Sequence, residues 1–220
     1  DQHFGIQQWA DAAEPNDDAG LAREAVLEGS ATVAMIDYSD HPERSYRELI
    51  LEHMRPGDMH THMYSGKIAQ IDDGGRVHDY VWEARKRGVL FDVGHGAGSF
   101  VWDTVEKALA QGVTPKTISS DLHIYNVDGP AFDQLTTLSK FIHLGMPLEE
   151  VIRLSTESAA KVMGKADRLG TLRVGAEGDV TLIRQEEGDF TLTDAADRSV
   201  QSRQRLTHAL TVKGGKVYRP

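Results

Sequence analysis

His60 and His62, separated by one threonine, are the residues of this 220-residue chain whose type and spacing point most directly to chemistry. Successive residues of a strand face opposite sides, so a strand running through them would aim both imidazoles at one side, as a pair of metal ligands is presented. Further positions repeat the theme. Asp37 closes the apolar run ATVAMID, His95 stands inside the glycine-rich GHGAG, and Asp121 and His123 follow TISS. Carboxylates and imidazoles hold divalent cations and exchange protons near neutral pH, so metal-assisted catalysis is the chemistry these residues would share. Taken alone, Asp37 could equally cap the turn that follows it.

The surrounding pattern supplies elements to position them. Pro56-Gly57 makes a turn and Tyr64-Ser65-Gly66 starts a loop, which puts the histidine pair at the C-terminal end of a short strand, the end that carries chemistry in α/β folds. ATVAMID is a buried strand after an amphipathic helix that begins at Leu21, and Ser45-Tyr-Arg-Glu48 is a capping box opening a helix through Met54, with His53 on its surface. Val77 to Arg87 and Phe100 to Gln111 follow helical periodicity, while Val89 to Val93 and Lys116 to Ser120 are the third and fourth strands. The glycines around His95 let the backbone turn sharply, with Gly96 close enough to meet a ligand. GHGAGSF lacks the spacing of a dinucleotide fingerprint. Helices are expected from Asp133 to Leu144 and from Pro147 to Met163, then short β-prone runs at 179–183, 190–192 and 210–212.

Asp37, His62, His95 and Asp121 thus end consecutive βα units at the same side, as in a parallel barrel with its active site at the top. The expected fold class is α/β, a partial TIM-type (β/α) barrel of about four βα units with a small C-terminal β appendage. Residues 1–20 form a leader or loop, 21–165 the half barrel and 166–220 the small β domain.

Composition narrows the partners. Lys and Arg number 24 against 34 Asp and Glu, a net charge of −10, which argues against nucleic acid and for a small-molecule substrate. Without cysteine, any metal must be held by His, Asp, Glu or a modified Lys, and the ten histidines supply enough donors. No apolar run reaches membrane-span length and the first residues lack a signal-peptide layout, so a cytoplasmic protein without a membrane partner is expected.

RPGDMHTHMYSG, RKRGVLFDVGHGAGSF, TISSDLH and LGMPLEEVIRLSTESAAKVMGKADRLGTLRVGAEGDVTLI resemble the second half of a metal-dependent amidohydrolase, in the dihydroorotase-like amidohydrolase/deacetylase branch. The resemblance runs from about Leu21 to the end. It implies a (β/α)8 barrel with one or two divalent metals, zinc as a rule, at its mouth. By position, His62 resembles the strand-six ligand, His95 the strand-seven residue near the substrate, and Asp121 the strand-eight Asp that binds metal and acts as base.

The departures are informative. The strand-one His-x-His pair and the strand-four bridging Lys or Glu have no counterpart here; His60 is a candidate stand-in, and Asp37 takes the strand-five position, commonly His. Four parallel strands would leave open edges, so a homodimer or larger homo-oligomer is expected to cover them. The implied reaction is hydrolysis of an amide or ester in an acyl substrate, with metal held by His62 and Asp121, with Asp37 or His60, and with His95, Gly96 and His123 at the substrate. The alternatives are a non-catalytic remnant or binding module, and a metal-free esterase using His95 and His123 as bases.

Overall fold

Three short parallel strands, β1 (Met35–Ile36), β2 (Met59–His60) and β3 (Leu90–Phe91), lie side by side in that order, with Met35 opposite Met59 and Met59 opposite Leu90. They belong to a computed structural model that describes residues 33–38, 45–66 and 70–220. The leader over 1–20 and the helix beginning at Leu21 lie outside the described residues.

Helix α1 (Tyr46–Glu48) precedes β2, runs on as a π-helical turn over Leu49–His53, and is capped by Ser45 Oγ, which accepts from Glu48 N at 3.2 Å. Helix α2 (Asp79–Arg87) links β2 to β3 and stops at Gly88, whose φ of 100° suits the left-handed cap. After β3 comes α3 (Trp102–Ala110). The expected fourth strand is only partly made: Thr117 bridges Asp92, and Lys116 N, Val93 N and His95 N cross between the segments, without a continuous ladder. Side chains join the same segments, the hydroxyls of Thr117 and Ser119 donating to the Asp92 carboxylate.

Helices α4 (Gln134–His143), α5 (Leu148–Ser155) and α6 (Glu157–Val162) follow; Thr156, at φ −126° and ψ −81°, breaks the single helix expected from Pro147 to Met163 in two. The three β-prone runs merge into an antiparallel meander of β4 (Val180–Thr193), β5 (Ser199–Lys213) and β6 (Lys216–Tyr218). Irregularities at Leu182/Ile183 and between Glu187 and Phe190 keep β4 in register with β5 across its polar middle.

The core joins both sheets. Phe91, Val93, Phe100, Trp102, Phe141 and Leu154 are buried in one cluster that also includes Leu192 of β4 and Leu206 of β5. Large apolar side chains buried this fully contribute about 1.5–3 kcal/mol each, so the meander is held by packing as well as by its ladder. Ser139 Oγ of α4 accepts from Leu206 N at 2.8 Å, fixing β5 on that helix. Among the described residues no helix is long and apolar enough to cross a membrane.

Candidate active site

The site grows from the loops that leave β2 and β3. Asp92, just past β3, is buried and accepts hydroxyl hydrogen bonds from Thr61 at 2.9 Å, Ser119 at 2.6 Å and Thr117. A buried carboxylate needs such donors. By taking them from two segments it ties the ends of β2, β3 and the 116–120 segment together just beneath the loops.

His62 sits above this tie with a φ of 63°, in the left-handed region that L-residues avoid. Its Nδ1 lies 2.6 Å from the Gly94 carbonyl. A carbonyl only accepts, so Nδ1 is the donor here and Nε2 is the nitrogen turned outward, the orientation that outer hydrogen bonds impose on metal-binding histidines. Nε2 faces Asp37 Oδ1 at 3.7 Å. A ring nitrogen and a carboxylate oxygen at that separation leave room to share a cation.

Asp121 is the second strained position, with a φ of 44°. Buried Asn126 fixes the turn that follows, donating from Nδ2 to Asp121 O at 2.8 Å and accepting at Oδ1 from His123 N at 2.8 Å. Gly96 separates the two candidates: a Cβ added there would stand 2.9 Å from Asp121 Oδ2 and 3.7 Å from the His62 ring at Cε1. The missing side chain is what lets imidazole and carboxylate approach the same space.

His62 meets Asp37 on one side and faces the space of Asp121 across Gly96, and their nitrogen and oxygen donors are of the kinds zinc accepts. No group of three or more His, Cys, Asp or Glu side chains among the described residues reaches metal-holding geometry as it stands. The fit is that of part of a shell.

His60 stands elsewhere. The strand ends at His60 and the backbone inverts at His62, so the alternation that would put both rings on one face does not extend across the pair. The His60 ring is buried between Tyr46 of α1 and Phe91, with centroids 5.1 and 5.8 Å away, and Nδ1 lies 3.3 Å from Ile36 O. Burial pushes its pKa down to about 3, and its Nε2 has no hydrogen-bond partner among the described residues.

His95 turns inward, away from the expected strand-tip position. It is fully buried and stacks on Phe100 with centroids 5.0 Å apart. Nδ1 meets Gly96 O at 2.9 Å, and Nε2 meets Nζ of Lys140 at 2.6 Å. Both ring nitrogens are committed within the protein, which removes His95 as a free base. Burial, reinforced by Lys140, lowers its pKa to about 4. His123 is part exposed and shapes its own loop, accepting from Tyr125 N at Nδ1 (3.2 Å).

Lys140 and Asn126 are the residues that sequence reasoning missed. For Lys140 a signal existed, since it shares the helical stripe of Thr137, Phe141 and Leu144, a position for an apolar residue. Asn126 had none beyond its proximity to Asp121.

Residues 130–219 match the model of the amidohydrolase family. The chain is 31% identical over 201 residues to a deacetylase of Enterococcus faecalis, covering 90% of this chain and 54% of that protein. It is 33% identical over 164 residues to a deacetylase of Agrobacterium fabrum, covering 74% and 40% respectively. Among solved structures it resembles an adenine deaminase (TM-score 0.86, 29% identity, 91% of this chain and 55% of that one) and a dihydroorotase (TM-score 0.77, 27%, 91% and 54%). The chain is a member of the amidohydrolase superfamily. It spans about half the length, 54% and 40%, of these two curated relatives.

Proposed function

We propose that this chain contributes part of a divalent-metal hydrolase site, built on part of a (β/α) barrel, that cleaves an amide or ester bond in a small acyl substrate. The observation that carries the reading is the pairing of His62 and Asp121, both in the left-handed region, on the two sides of Gly96. Strain of about 1–3 kcal/mol per such residue persists where the surroundings over-determine it, which is typical of functional sites. The deacetylase relatives support an amide or ester as the bond cleaved.

His62 Nε2, Asp121 and Asp37 would hold the ion, with zinc the expected identity. When bound, such an ion lowers the pKa of water and polarises a carbonyl. Asp121 takes the proton of the attacking water at a carboxylate oxygen and returns it to the leaving group. Gly94 O keeps the His62 ring in the tautomer that leaves Nε2 free. Leu122, Ile124 and Tyr125 beside Asp121 are exposed, the last two by 80% and 83%, and offer apolar surface to an acyl group.

The test is hydrolysis of N-acyl amino acids and simple acyl esters by the 220-residue chain, before and after chelation and zinc return. Turnover should vanish with chelation, return with zinc, and fall at least about 100-fold in Asp121→Asn. Chelator-insensitive turnover, or an Asp121→Asn variant as active as the parent, overturns the proposal.

A further inference from the structure

Lys140 is fully buried in α4, and its ammonium touches three separate parts of the chain. It donates to Pro130 O at 3.0 Å in the loop after Asp121, to Thr193 O at 2.6 Å at the end of β4, and it meets His95 Nε2 at 2.6 Å. The Phe100 ring lies 5.2 Å from Nζ, and Asp194 adds a favourable charge. While Lys140 is protonated its ammonium has no lone pair, so Nε2 of His95 accepts. That fixes the His95 proton on Nδ1, where it is donated to Gly96 O.

The consequence reaches the proposed site. His95 N donates to Ser119 O at 3.1 Å and Gly96 N to Ser120 O at 3.0 Å, so the Gly94–Gly96 turn is stitched to the residues just before Asp121. The same turn supplies the Gly94 carbonyl that orients His62, and the gap at Gly96 that admits Asp121 Oδ2. We infer that Lys140 is a positioning residue for the proposed metal site, acting through His95 and the Gly94–Gly96 turn to hold His62 and Asp121 in place. This rests on the hydrolase reading only for the purpose of the turn; the relay itself is a matter of which ring nitrogens carry protons.

The test is nitrogen NMR of the chain labelled with ¹⁵N-histidine, combined with zinc competition against a chromogenic chelator. In the parent, His62 and His95 both show the Nδ1-protonated neutral form. In Lys140→Met, which keeps much of the volume and loses the donors, the His95 ring and the Gly94–Gly96 turn are no longer held, so His95 and His62 both lose their single Nδ1-protonated signature. Zinc binding weakens about 10–100-fold, the usual cost of losing an outer-shell partner. A variant that melts earlier while His62 keeps its tautomer and zinc affinity stays within about twofold shows a structural clamp only, and overturns the inference.

Should Lys140→Met not fold, His95→Gln and His95→Leu decide. The glutamine amide can accept from Lys140 and donate to Gly96 O, so it preserves the His62 signature, whereas leucine abolishes it; identical behaviour of the two refutes the relay. Absence of zinc binding in the parent would defeat the hydrolase reading, and the His62 tautomer comparison would still decide the role of Lys140.

Discussion

Replacing Gly94 by alanine probes the turn on which both proposed ligands rest. Gly94 has a φ of 49°, and an added Cβ would lie 2.2 Å from Thr61 Oγ1, 2.7 Å from His62 Nδ1 and 3.0 Å from His62 N. The left-handed backbone alone costs an L-residue about 1–2 kcal/mol. Relieving the overlap costs about 1–3 kcal/mol more, and the Thr61–Asp92 and His62–Gly94 hydrogen bonds it disturbs contribute about 1 kcal/mol each. A loss of about 4–7 kcal/mol is a large part of the stability of an ordinary domain. Gly98, in the same loop, is the control: it has no positive φ and nothing within 4 Å of an added Cβ. Gly98→Ala should stay within about 0.5 kcal/mol of the parent. Urea unfolding followed by tryptophan fluorescence separates the two, and with m near 1–3 kcal/mol/M the Gly94→Ala midpoint falls by about 1 M or more. Equal midpoints for Gly94→Ala and Gly98→Ala would refute the packing argument and the tight approach of His62 to the turn.

Two other outcomes follow from buried charge. His95 is lowered to about 4 from 6.5 and Lys140 to about 7 from 10.5, both chiefly by burial, so each binds fewer protons folded than unfolded. Stability therefore rises with pH across both windows and falls as pH drops through them, by about 3 kcal/mol for His95 between 6.5 and 4. Urea melts from pH 4 to 10 check this; an equally steep alkaline limb in Lys140→Met contradicts the assignment of that window to Lys140. Asp194, buried, accepts from Trp102 N at 2.8 Å, Ala196 N at 2.9 Å and Arg198 N at 2.8 Å. Asp194→Ala should cost about 2–4 kcal/mol by stranding these amides, and Asp194→Asn, which keeps an oxygen acceptor, should recover about half by calorimetry.

The parts of the site that were legible in the sequence are those that depend on strand polarity. Asp37 ends the apolar run ATVAMID, His62 and Asp121 follow strand-length segments, and a parallel arrangement brings such ends to one side whatever the loops do. His60 was not legible, because the two-residue alternation holds only while the backbone stays extended, and here the strand stops at His60. His95 was placed correctly along the chain and wrongly in direction. Flanking glycines with φ of 49° and 53° let it fold inward, and its partner lies 45 residues away, beyond any local pattern. The fourth strand is made only as the Thr117–Asp92 bridge, where the Thr117 and Ser119 hydroxyls also serve Asp92.

The β meander changes most in meaning. Its alternating runs were legible as strands, but three consecutive residues at the end of β4 and just beyond join it to the rest. Leu192 enters the shared core, Thr193 O accepts from Lys140, and the Asp194 carboxylate caps the N-terminal end of α3 through Trp102 N. Trp102 Nε1 closes the same junction by donating to Arg198 O at 3.0 Å. A buried ammonium that loses one of its carbonyl acceptors is less favourable as a cation, so its hold on His95 Nε2 weakens. Disturbing the meander at Thr193 is thus expected to reach His62 by the same route as changing Lys140, through a chain of hydrogen bonds and without any contact between the two.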